Sequence, residues 1–483
     1  MDPDYRLYSI QPTPYGGRGV YARTDISAGT CILRCPGPYA YVIARKFRKE
    51  VCAWCFSYAF EHGKRVWSWK YESTDSISLR DDQECIGKTV SPVHNSKQNK
   101  GNGANTAANL AGTWFCTAEC RTRWCLEMDF GRLHASLLGM LEKLHITASD
   151  KKRGSADIPV TAADAIAIEG GYTFPLLKTL QPYWIHSKDA LLSASHLKNP
   201  STLSAGREEQ ITSCHQTLSS CQRQLDIVWS HAELVYARGY YRNAAPGEPR
   251  KEEPLSEFEL DTARFAISAL VQFFWEGSAA AHSNRGLDQN GSVMTWTDML
   301  ELQNNEVETA LRKPEILATQ VRVYGFVRSV VETALRTPGV MPAGAYDWGK
   351  LRAWVDKSDY VRAILGRDHG NVFGIWDMAT EGDSEMLGWG MYIQGSYFNH
   401  DCAPNVKKRR VGRALEFYAM RNIATGEELC TTYVDVDEPA SQRCAELREQ
   451  WYFNCVCVRC RRELEVPIDE GTIDSGYVSS VDN

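Results

Sequence analysis

The chain has 483 residues, 43% of them hydrophobic, and a net charge of −6 at neutral pH, so it can bury a large core and exceeds one typical domain. The acidic balance argues against broad binding to nucleic-acid phosphates. Without a signal-peptide pattern or an uncharged apolar run of about eighteen residues, we expect neither secretion nor a membrane span. The 16 cysteines therefore favour thiol clusters in a reducing compartment, the cytoplasm or the nucleus.

The first motif in chain order is the GRG tripeptide at residues 17–19, which precedes a short apolar run of strand character at residues 20–22. Glycines let the backbone approach a ligand closely, and the guanidinium of Arg18 could meet a carboxylate. By itself the tripeptide is more typical of a surface turn, so its meaning depends on partners elsewhere in the chain.

The middle of the chain has helical periodicity, and strand-like runs return near its end. Apolar residues at helical spacing predict helices over residues 125–145, 207–234, 261–280 and 305–335, with Pro314 interrupting the last. Short apolar runs predict strands at residues 372–378, 388–398 and 414–423. The polar segment 71–113 is rich in Ser, Asn and Gly, which predicts a mobile excursion. These patterns indicate an α+β fold in which a helical block interrupts strand-forming regions.

The C-terminal region contains four cysteines that form a natural set. Cys402 lies in the loop NHDCAPN (399–405), while Cys455, Cys457 and Cys460 form a C-x-C-x2-C pattern. A tetrahedral zinc ion needs four soft thiolates, and closely spaced cysteines supply several of them from one tight turn. The alternative is four scattered core thiols, because free cysteine is among the most buried residue types. The rarity of the pattern favours a structural zinc ion that holds the 399–405 loop against the C-terminal segment.

Four motifs, in their order along the chain, resemble those of the SET-domain lysine methyltransferases. They are GGRGVYARTDISAGTCILRCPG (16–37), NHDCAPN (399–405), GEELCTTYVD (426–435) and CVCVRC (455–460), the last resembling the cysteine-rich post-SET element. The resemblance covers residues 15–60 and 366–462 well. It implies a β-rich SET core of short strands in small sheets, with the 399–405 loop and the segment around Tyr433 forming a pseudoknot around S-adenosylmethionine.

The resemblance also implies which residues face the cofactor. Tyr433 matches the tyrosine whose hydroxyl lies by the transferring methyl group, and Asn399 and His400 match a pair that contacts the cofactor partly through backbone atoms. That role needs no titrating imidazole, so we do not expect His400 to be a metal ligand or a general base. The implied cofactor-binding residues are Arg18, Gly19, Asn371, Ser396, Asn399, His400, Tyr433, Trp451 and Phe453.

Methyl transfer to lysine makes physical demands that these residues would have to meet. A lysine ammonium has no lone pair, and with a pKa near 10.4 well under about one per cent of the side chain is neutral at pH 7. Transfer therefore needs a dry channel that favours the neutral amine, and in-line placement against the sulfonium methyl group. We expect Tyr433 to orient the amine, and the rings of Trp451, Tyr452 and Phe453 to attract sulfonium and methylated ammonium groups.

A second group of cysteines narrows the resemblance to the SMYD (SET and MYND) class. Cys52 and Cys55 form a C-x2-C pair, and Cys116 and Cys120 form a C-x3-C pair preceded by an aromatic residue, similar to part of a MYND zinc finger. In full MYND fingers these two pairs share one of two zinc ions. The ligand pair between them and the later His-x3-Cys are missing here. The resemblance therefore implies a degenerate finger with one structural zinc ion and a peptide-binding surface at this finger.

The sequence thus predicts an S-adenosylmethionine-dependent protein-lysine N-methyltransferase with two zinc ions, acting on a histone or non-histone protein, with no nucleic-acid or membrane partner. The alternative is a zinc-stabilised protein-interaction adaptor with a vestigial SET core, against which the intact Arg18, Asn399, His400 and Tyr433 argue. The expected organisation is an N-terminal SET part (1–50), a degenerate finger (51–130), a helical insert (131–365), the C-terminal SET core (366–440), a post-SET element (441–463) and a flexible acidic tail (464–483).

Overall fold

The computed structural model describes residues 7–71, 111–130, 132–153, 207–237, 254–276, 294–342, 346–377 and 384–465. Nearly all of the polar segment 71–113 and of the acidic tail lies outside these ranges. The mobility predicted for both segments therefore concerns residues that the structure does not describe. Within the described ranges, none of the helices is long and apolar enough to cross a membrane.

Short strands in the described residues form four small antiparallel sheets. The strands are β1 Tyr8–Pro12, β2 Arg18–Ala22, β3 Cys31–Cys35, β4 Ala40–Ile43, β5 Trp69–Lys70, β6 Trp114–Phe115, β7 Val372–Trp376, β8 Met386–Met391, β9 Val406–Val411 and β10 Ala414–Ala419. β1 pairs with β2, and β5 pairs with β6. In the two three-stranded sheets, β10 lies between β3 and β9, and β8 lies between β4 and β7. The predicted core of short strands in small sheets is confirmed.

The α-helices of the described residues lie mainly between the N-terminal and C-terminal strands. They are α1 Ala118–Glu127, α2 Leu133–Arg153, α3 Arg207–Ala237, α4 Glu257–Glu276, α5 Trp296–Leu300, α6 Glu306–Arg312, α7 Pro314–Arg336, α8 Trp348–Asp356, α9 Asp359–Asn371, α10 Ala440–Gln450 and α11 Val458–Glu465.

Two of the predicted helices are interrupted in the structure, one of them at a place that the sequence did not predict. The helix expected over 125–145 is divided between α1 and α2, because Phe130 (φ +48°) and Arg132 (φ +82°) adopt left-handed backbone conformations that no α-helix continues through. Pro314 separates α6 from α7 as expected. It occupies the first turn of α7, where its missing N–H has no intrahelical partner to lose.

The helical block shares a core with the strands instead of forming a separate lobe. α4 lies against β4, and its Phe265 ring approaches the Trp389 ring of β8 with the ring centroids 6.3 Å apart. The backbone N–H of Tyr41 in β4 donates to the Ser268 hydroxyl of α4 at 3.3 Å. Because these contacts are buried, the block and the β4–β8–β7 sheet stabilise each other.

The extended segment 427–432 runs between β2 and the NHDCAPN loop. On one side, the Leu429 N–H donates to the Val20 carbonyl at 2.7 Å. On the other side, the Thr431 N–H donates to the Asn399 carbonyl at 2.8 Å. The same short segment therefore ties the first strands of the chain to a loop almost four hundred residues later, which matches the predicted pseudoknot.

Candidate active site and metal centres

The first cysteine cluster lies where β6 leads into α1. The sulfurs of Cys52, Cys55, Cys116 and Cys120 all lie within 4.8 Å of one another. The Thr117 hydroxyl caps α1 by accepting from the Cys120 N–H at 3.1 Å, which fixes the backbone of the second pair. These four side chains could hold one metal ion, as the resemblance to a MYND finger implied.

Arg413 fastens this finger to the strand core. Its guanidinium donates to the Trp54 carbonyl at 3.3 Å, and its Cζ lies 4.5 Å from the Trp54 ring centroid and 4.9 Å from that of Tyr41. A guanidinium stacked on aromatic faces adds attraction beyond its hydrogen bond. The finger is therefore an integral part of the fold.

The second cluster joins the NHDCAPN loop to the end of the described chain. The sulfurs of Cys402, Cys455, Cys457 and Cys460 lie within 4.8 Å of one another, again close enough for a single metal ion. The Cys460 N–H donates to the Cys457 sulfur at 3.3 Å at the start of α11. Such N–H···S bonds favour the thiolate form that a metal requires.

Arg443 of α10 supplies a positive charge directly beside the second cluster. It is 1% exposed, and its guanidinium donates to the Cys402 sulfur at 3.3 Å, the Cys460 sulfur at 3.6 Å and the Glu463 carboxylate at 2.7 Å. A buried guanidinium needs negative partners. The Glu463 carboxylate meets part of that need, and the Cys402 and Cys460 sulfurs would meet the rest as thiolates, so the surroundings fit a cluster of ionised sulfurs.

His400 connects this cluster to Tyr433. Its Nε2 lies 3.2 Å from the Cys402 sulfur, and its Nδ1 accepts the Tyr433 backbone N–H at 3.0 Å. Burial is the main cause that lowers the pKa of His400 to about 4. Because Nδ1 must be unprotonated to accept that N–H, the imidazole holds the Tyr433 backbone, which is a positioning role.

The Tyr433 hydroxyl is directed inward, toward the protein backbone. It donates to the Phe398 carbonyl at 2.8 Å, and burial raises the pKa of Tyr433, so the hydroxyl stays protonated. The ring centroid lies 5.5 Å from that of Trp451 and 6.4 Å from that of Phe453. An oriented hydroxyl with aromatic neighbours suits a site that must exclude water.

Tyr452 differs from the expectation that three successive aromatics form one wall. Its backbone is left-handed (φ +62°), which turns the side chain away from its neighbours. Its hydroxyl lies 3.1 Å from the Thr309 hydroxyl of α6, and its ring packs on His369 with the centroids 5.0 Å apart. Tyr452 therefore anchors the segment to the helical block, while Trp451 and Phe453 remain beside Tyr433.

Asn399 ties the loop to the N-terminal hairpin. Its side-chain amide donates to the Arg18 carbonyl at 3.1 Å and to the Glu428 carboxylate at 2.8 Å. A Cβ on Gly19 would lie 2.5 Å from that carboxylate and 2.7 Å from the Asn399 amide nitrogen. Both atoms belong to side chains, so glycine at position 19 lets the Glu428 and Asn399 side chains approach the hairpin backbone closely.

Arg18 projects from the same crossing toward the helical block. Its guanidinium pairs with the Glu301 carboxylate at 3.1 Å and also donates to the Glu301 carbonyl. Its Cζ lies 5.1 Å from the centroid of the Tyr397 ring. The Arg18 guanidinium of the hairpin thus contacts both the helical block, at Glu301, and the C-terminal core, at Tyr397.

Asn371 and Ser396 lie together but engage their side chains within the protein. The Asn371 amide donates to the carbonyls of Gln303 and Arg367, both at 2.9 Å. The Ser396 hydroxyl donates to the Asn371 carbonyl at 2.9 Å. Both residues therefore join the end of α9 to the segment before the NHDCAPN loop.

Sequence reasoning missed several residues that build the crossing. The Tyr15 hydroxyl donates to the Glu428 carboxylate, and no local signal marked it. Asn405 bridges the 427–432 segment, accepting from the Cys430 N–H and donating to the Glu428 carbonyl, both at 2.8 Å. Glu428 and Asn405 both stand inside recognised motifs, so a closer look at the polar motif residues could have found them.

Comparisons with known proteins agree with this geometry. The SET domain profile matches residues 17–434. The chain is 22% identical over 464 residues to a potential protein lysine methyltransferase, SET6 of Saccharomyces cerevisiae, a match that covers 95% of this chain and 96% of the relative.

Two shorter matches concern parts of the chain. A SET and MYND domain-containing protein of Dictyostelium discoideum is 35% identical over 129 residues, 26% of this chain and 25% of the relative. A histone-lysine N-methyltransferase, SET5 of Yarrowia lipolytica, is 48% identical over 75 residues, 15% of this chain and 17% of the relative. The SET domain match begins in the N-terminal hairpin and ends one residue after Tyr433. It therefore includes the N-terminal strands, the C-terminal strands and the helices between them. The chain belongs to the SET domain family.

Proposed function

We propose that the chain is an S-adenosylmethionine-dependent protein-lysine N-methyltransferase whose two cysteine clusters each hold a structural zinc ion. The observation that carries the proposal is the setting of Tyr433. Its protonated hydroxyl points at the Phe398 carbonyl, its backbone is held by His400, and aromatic rings flank it. Such a hydroxyl suits the orientation of a neutral amine in a site shielded from water.

The surroundings of Arg18 fit the carboxylate of the proposed cofactor. The partner of its guanidinium is Glu301, whose side chain is 60% exposed. An ion pair with this exposure contributes little net free energy, so a ligand carboxylate can replace Glu301 at low cost. The hydrogen bonds of Asn399 would keep the hairpin and the loop together beside that ligand.

The acceptor chemistry depends on residues of this chain. When bound, S-adenosylmethionine supplies a sulfonium methyl group. Tyr433 would orient the acceptor amine, and the rings of Trp451 and Phe453 would exclude water and attract the methylated ammonium. Exclusion of water lowers the pKa of the acceptor lysine, which favours the neutral amine that attacks the methyl carbon.

The donor sets of both clusters fit zinc. Four thiolates at tetrahedral spacing are typical of structural zinc sites, which leave no position for a reactive water. We therefore assign the two ions a structural role and no catalytic role. The second ion would hold the loop of Cys402, and with it His400, in place behind Tyr433.

A protein lysine is the proposed acceptor, and histones are the first substrates to test, because one relative is described as a histone-lysine N-methyltransferase. Calorimetric titration of the purified chain with S-adenosylmethionine should give a single binding site. Labelled cofactor should then transfer its methyl group to lysine in a panel of histones and cell extract. Failure to bind the cofactor at all would favour the zinc-stabilised adaptor, which has no need of it.

A further inference from the structure

One lysine of the chain lies close to the candidate methyl-transfer site. The Nζ of Lys408 donates to the carbonyl of Thr432, the residue before Tyr433, at 3.0 Å. The same Nζ lies 5.8 Å from the centroid of the Phe373 ring. The amine thus has a backbone carbonyl and an aromatic face as neighbours, the surroundings that suit a lysine acceptor.

The register of the sheet places Lys408 on the same face as a residue that packs beside the candidate site. Lys408 in β9 pairs with Phe417 in β10, and directly opposed residues share one face of a sheet. Phe417 is fully buried and stacks on Phe398, with the ring centroids 4.3 Å apart. The Phe398 carbonyl is the acceptor of the Tyr433 hydroxyl. Lys408 therefore extends from the inner face of the sheet that supports the candidate site.

Phe373 completes the surroundings of the amine. Its ring meets that of Phe417 edge to face, with the centroids 6.2 Å apart. Lys408 is exposed, so the Thr432 carbonyl and the Phe373 ring border the amine on the protein side and leave it open to solvent on the other. Desolvation lowers the pKa of Lys408, in the direction that methyl transfer needs.

Lys407 provides the contrast within the same strand. It pairs with Tyr418, and successive residues of a strand point to opposite faces. Lys407 therefore belongs to the outer face, where Arg409 bonds to Glu416 and Tyr418. The two lysines are neighbours in the strand and have the same side chain, but they lie on opposite faces of the sheet.

We propose that Lys408 is an internal acceptor of the candidate site and is methylated in cis by its own chain. This inference rests on the proposed function. The amine first loses a proton to water. A bond then forms between Nζ and the methyl carbon of a sulfonium donor, S-adenosylmethionine, as the bond between carbon and sulfur breaks and its electron pair remains on sulfur. The products are N-methylated Lys408 and a thioether.

The test uses the full chain as wild type and as K408R, K407R and Tyr433→Phe. Each is incubated with labelled S-adenosylmethionine, and modified lysines are mapped by mass spectrometry of peptides. We expect methylation at residue 408 in the wild type and in K407R, none in K408R, and at least about a 10-fold lower rate in Tyr433→Phe. A wild-type chain that methylates histones or extract but not Lys408 would overturn the inference and leave the proposed function standing. Transfer to no lysine at all, with cofactor bound, would remove the proposed function itself.

Two further measurements separate the cis reaction from general reactivity. Active K408R mixed with Tyr433→Phe should leave Lys408 of the latter at the low level of methylation that Tyr433→Phe reaches alone, and any increase above that level would show transfer in trans and contradict the proposal. Without any cofactor, NMR titration of isotope-labelled lysines, assigned with K408R, should give Lys408 a midpoint below the value of about 10.4 for a free lysine. A midpoint at the free value would show that the amine does not keep its place beside the Thr432 carbonyl and the Phe373 ring, and would also overturn the proposal.

Discussion

At the scale of single residues, the candidate site depends on hydrogen bonds that fix backbone atoms. His400 holds the Tyr433 N–H, Asn399 holds the Arg18 carbonyl, and Asn405 holds the Glu428 carbonyl. Each of these side chains supplies the hydrogen bond that a neighbouring strand would otherwise give to the backbone. They do so where three segments cross and no regular sheet continues. Buried backbone groups left without such partners would cost about 1–3 kcal/mol each.

Tyr433→Phe tests the single hydroxyl at the centre of the proposal. The substitution keeps the ring packing and removes only the bond to the Phe398 carbonyl, so folding and cofactor affinity should change little. Methyl transfer should fall by about 10- to 1000-fold, the range expected for one oriented hydrogen-bonding group. Calorimetry and transfer assays on a confirmed substrate measure the two effects. Full turnover in this variant would show that the methyl-transfer site is elsewhere.

Gly19→Ala tests the crossing of the hairpin and the loop. The new Cβ would lie 2.5 Å from the Glu428 carboxylate and 2.7 Å from the Asn399 amide, so one of these groups must move. We expect cofactor affinity to fall by about 10- to 100-fold, because small displacements of binding groups are costly. Titration of cofactor binding measures the change. Gly349→Ala in α8 is the matched control, since its nearest atom is the Asp347 side chain at 3.2 Å, and equal losses in both variants would argue against the crossing as the cause.

At the scale of elements, helix α10 links the second cysteine cluster to the candidate site. Its Arg443 bonds to two cluster sulfurs, and Cys402 of the cluster contacts His400, which in turn holds Tyr433. The loop, the helix and the C-terminal turn are short and could not keep their relative positions separately. The metal ion proposed at the cluster would unite them.

Arg443→Met tests this link. The variant leaves the cluster sulfurs without their cation, so we expect metal affinity at the second cluster to fall by about 10- to 100-fold, with a parallel loss of cofactor affinity. Competition with a chelator and calorimetric titration measure the two quantities. Arg461→Met, on an exposed position of α11, should change neither. Loss of metal with unchanged cofactor affinity would show that the cluster does not support the site.

At the scale of the whole molecule, the two cysteine clusters lie at opposite sequence ends of one SET core. The first belongs to an insertion between β4 and α2, and the second joins Cys402 of the NHDCAPN loop to three cysteines that follow Tyr433. Arg413 joins the first cluster to the strand core, and Arg443 supports the second. Arg413 thus contacts the backbone next to Cys55, and Arg443 donates directly to two sulfurs of the second cluster.

Metal analysis of the purified chain should give two zinc ions. Substitution of Cys55 by Ser should remove one ion and lower the unfolding temperature, and substitution of Cys457 should remove the other and also weaken cofactor binding, because only the second cluster contacts His400. Elemental analysis and thermal unfolding measure these outcomes. A content of three ions or more would show that the missing MYND ligands have replacements outside those identified.

From the sequence, ligand spacing within a tight turn identified the C-terminal cysteine set, which needs no knowledge of the fold. The first cysteine set, the loop of Asn399 and His400 and the importance of Tyr433 were implied by the resemblance of short motifs to the SET and MYND families. The short strands and most helices of the block followed from apolar periodicity. The left-handed residues that divide α1 from α2 escaped prediction, because Phe and Arg rarely adopt that conformation.

Only the tertiary structure decided the contacts between distant segments. Tyr15 bonds to Glu428, Arg18 pairs with Glu301, and the Tyr452 hydroxyl contacts that of Thr309. No local sequence pattern predicts any of these partners. Lys408 is the clearest case, since a basic run on an edge strand gives no hint of which lysine faces inward. The physical reason is that side-chain direction depends on strand register, and register is set by the packing of the whole sheet.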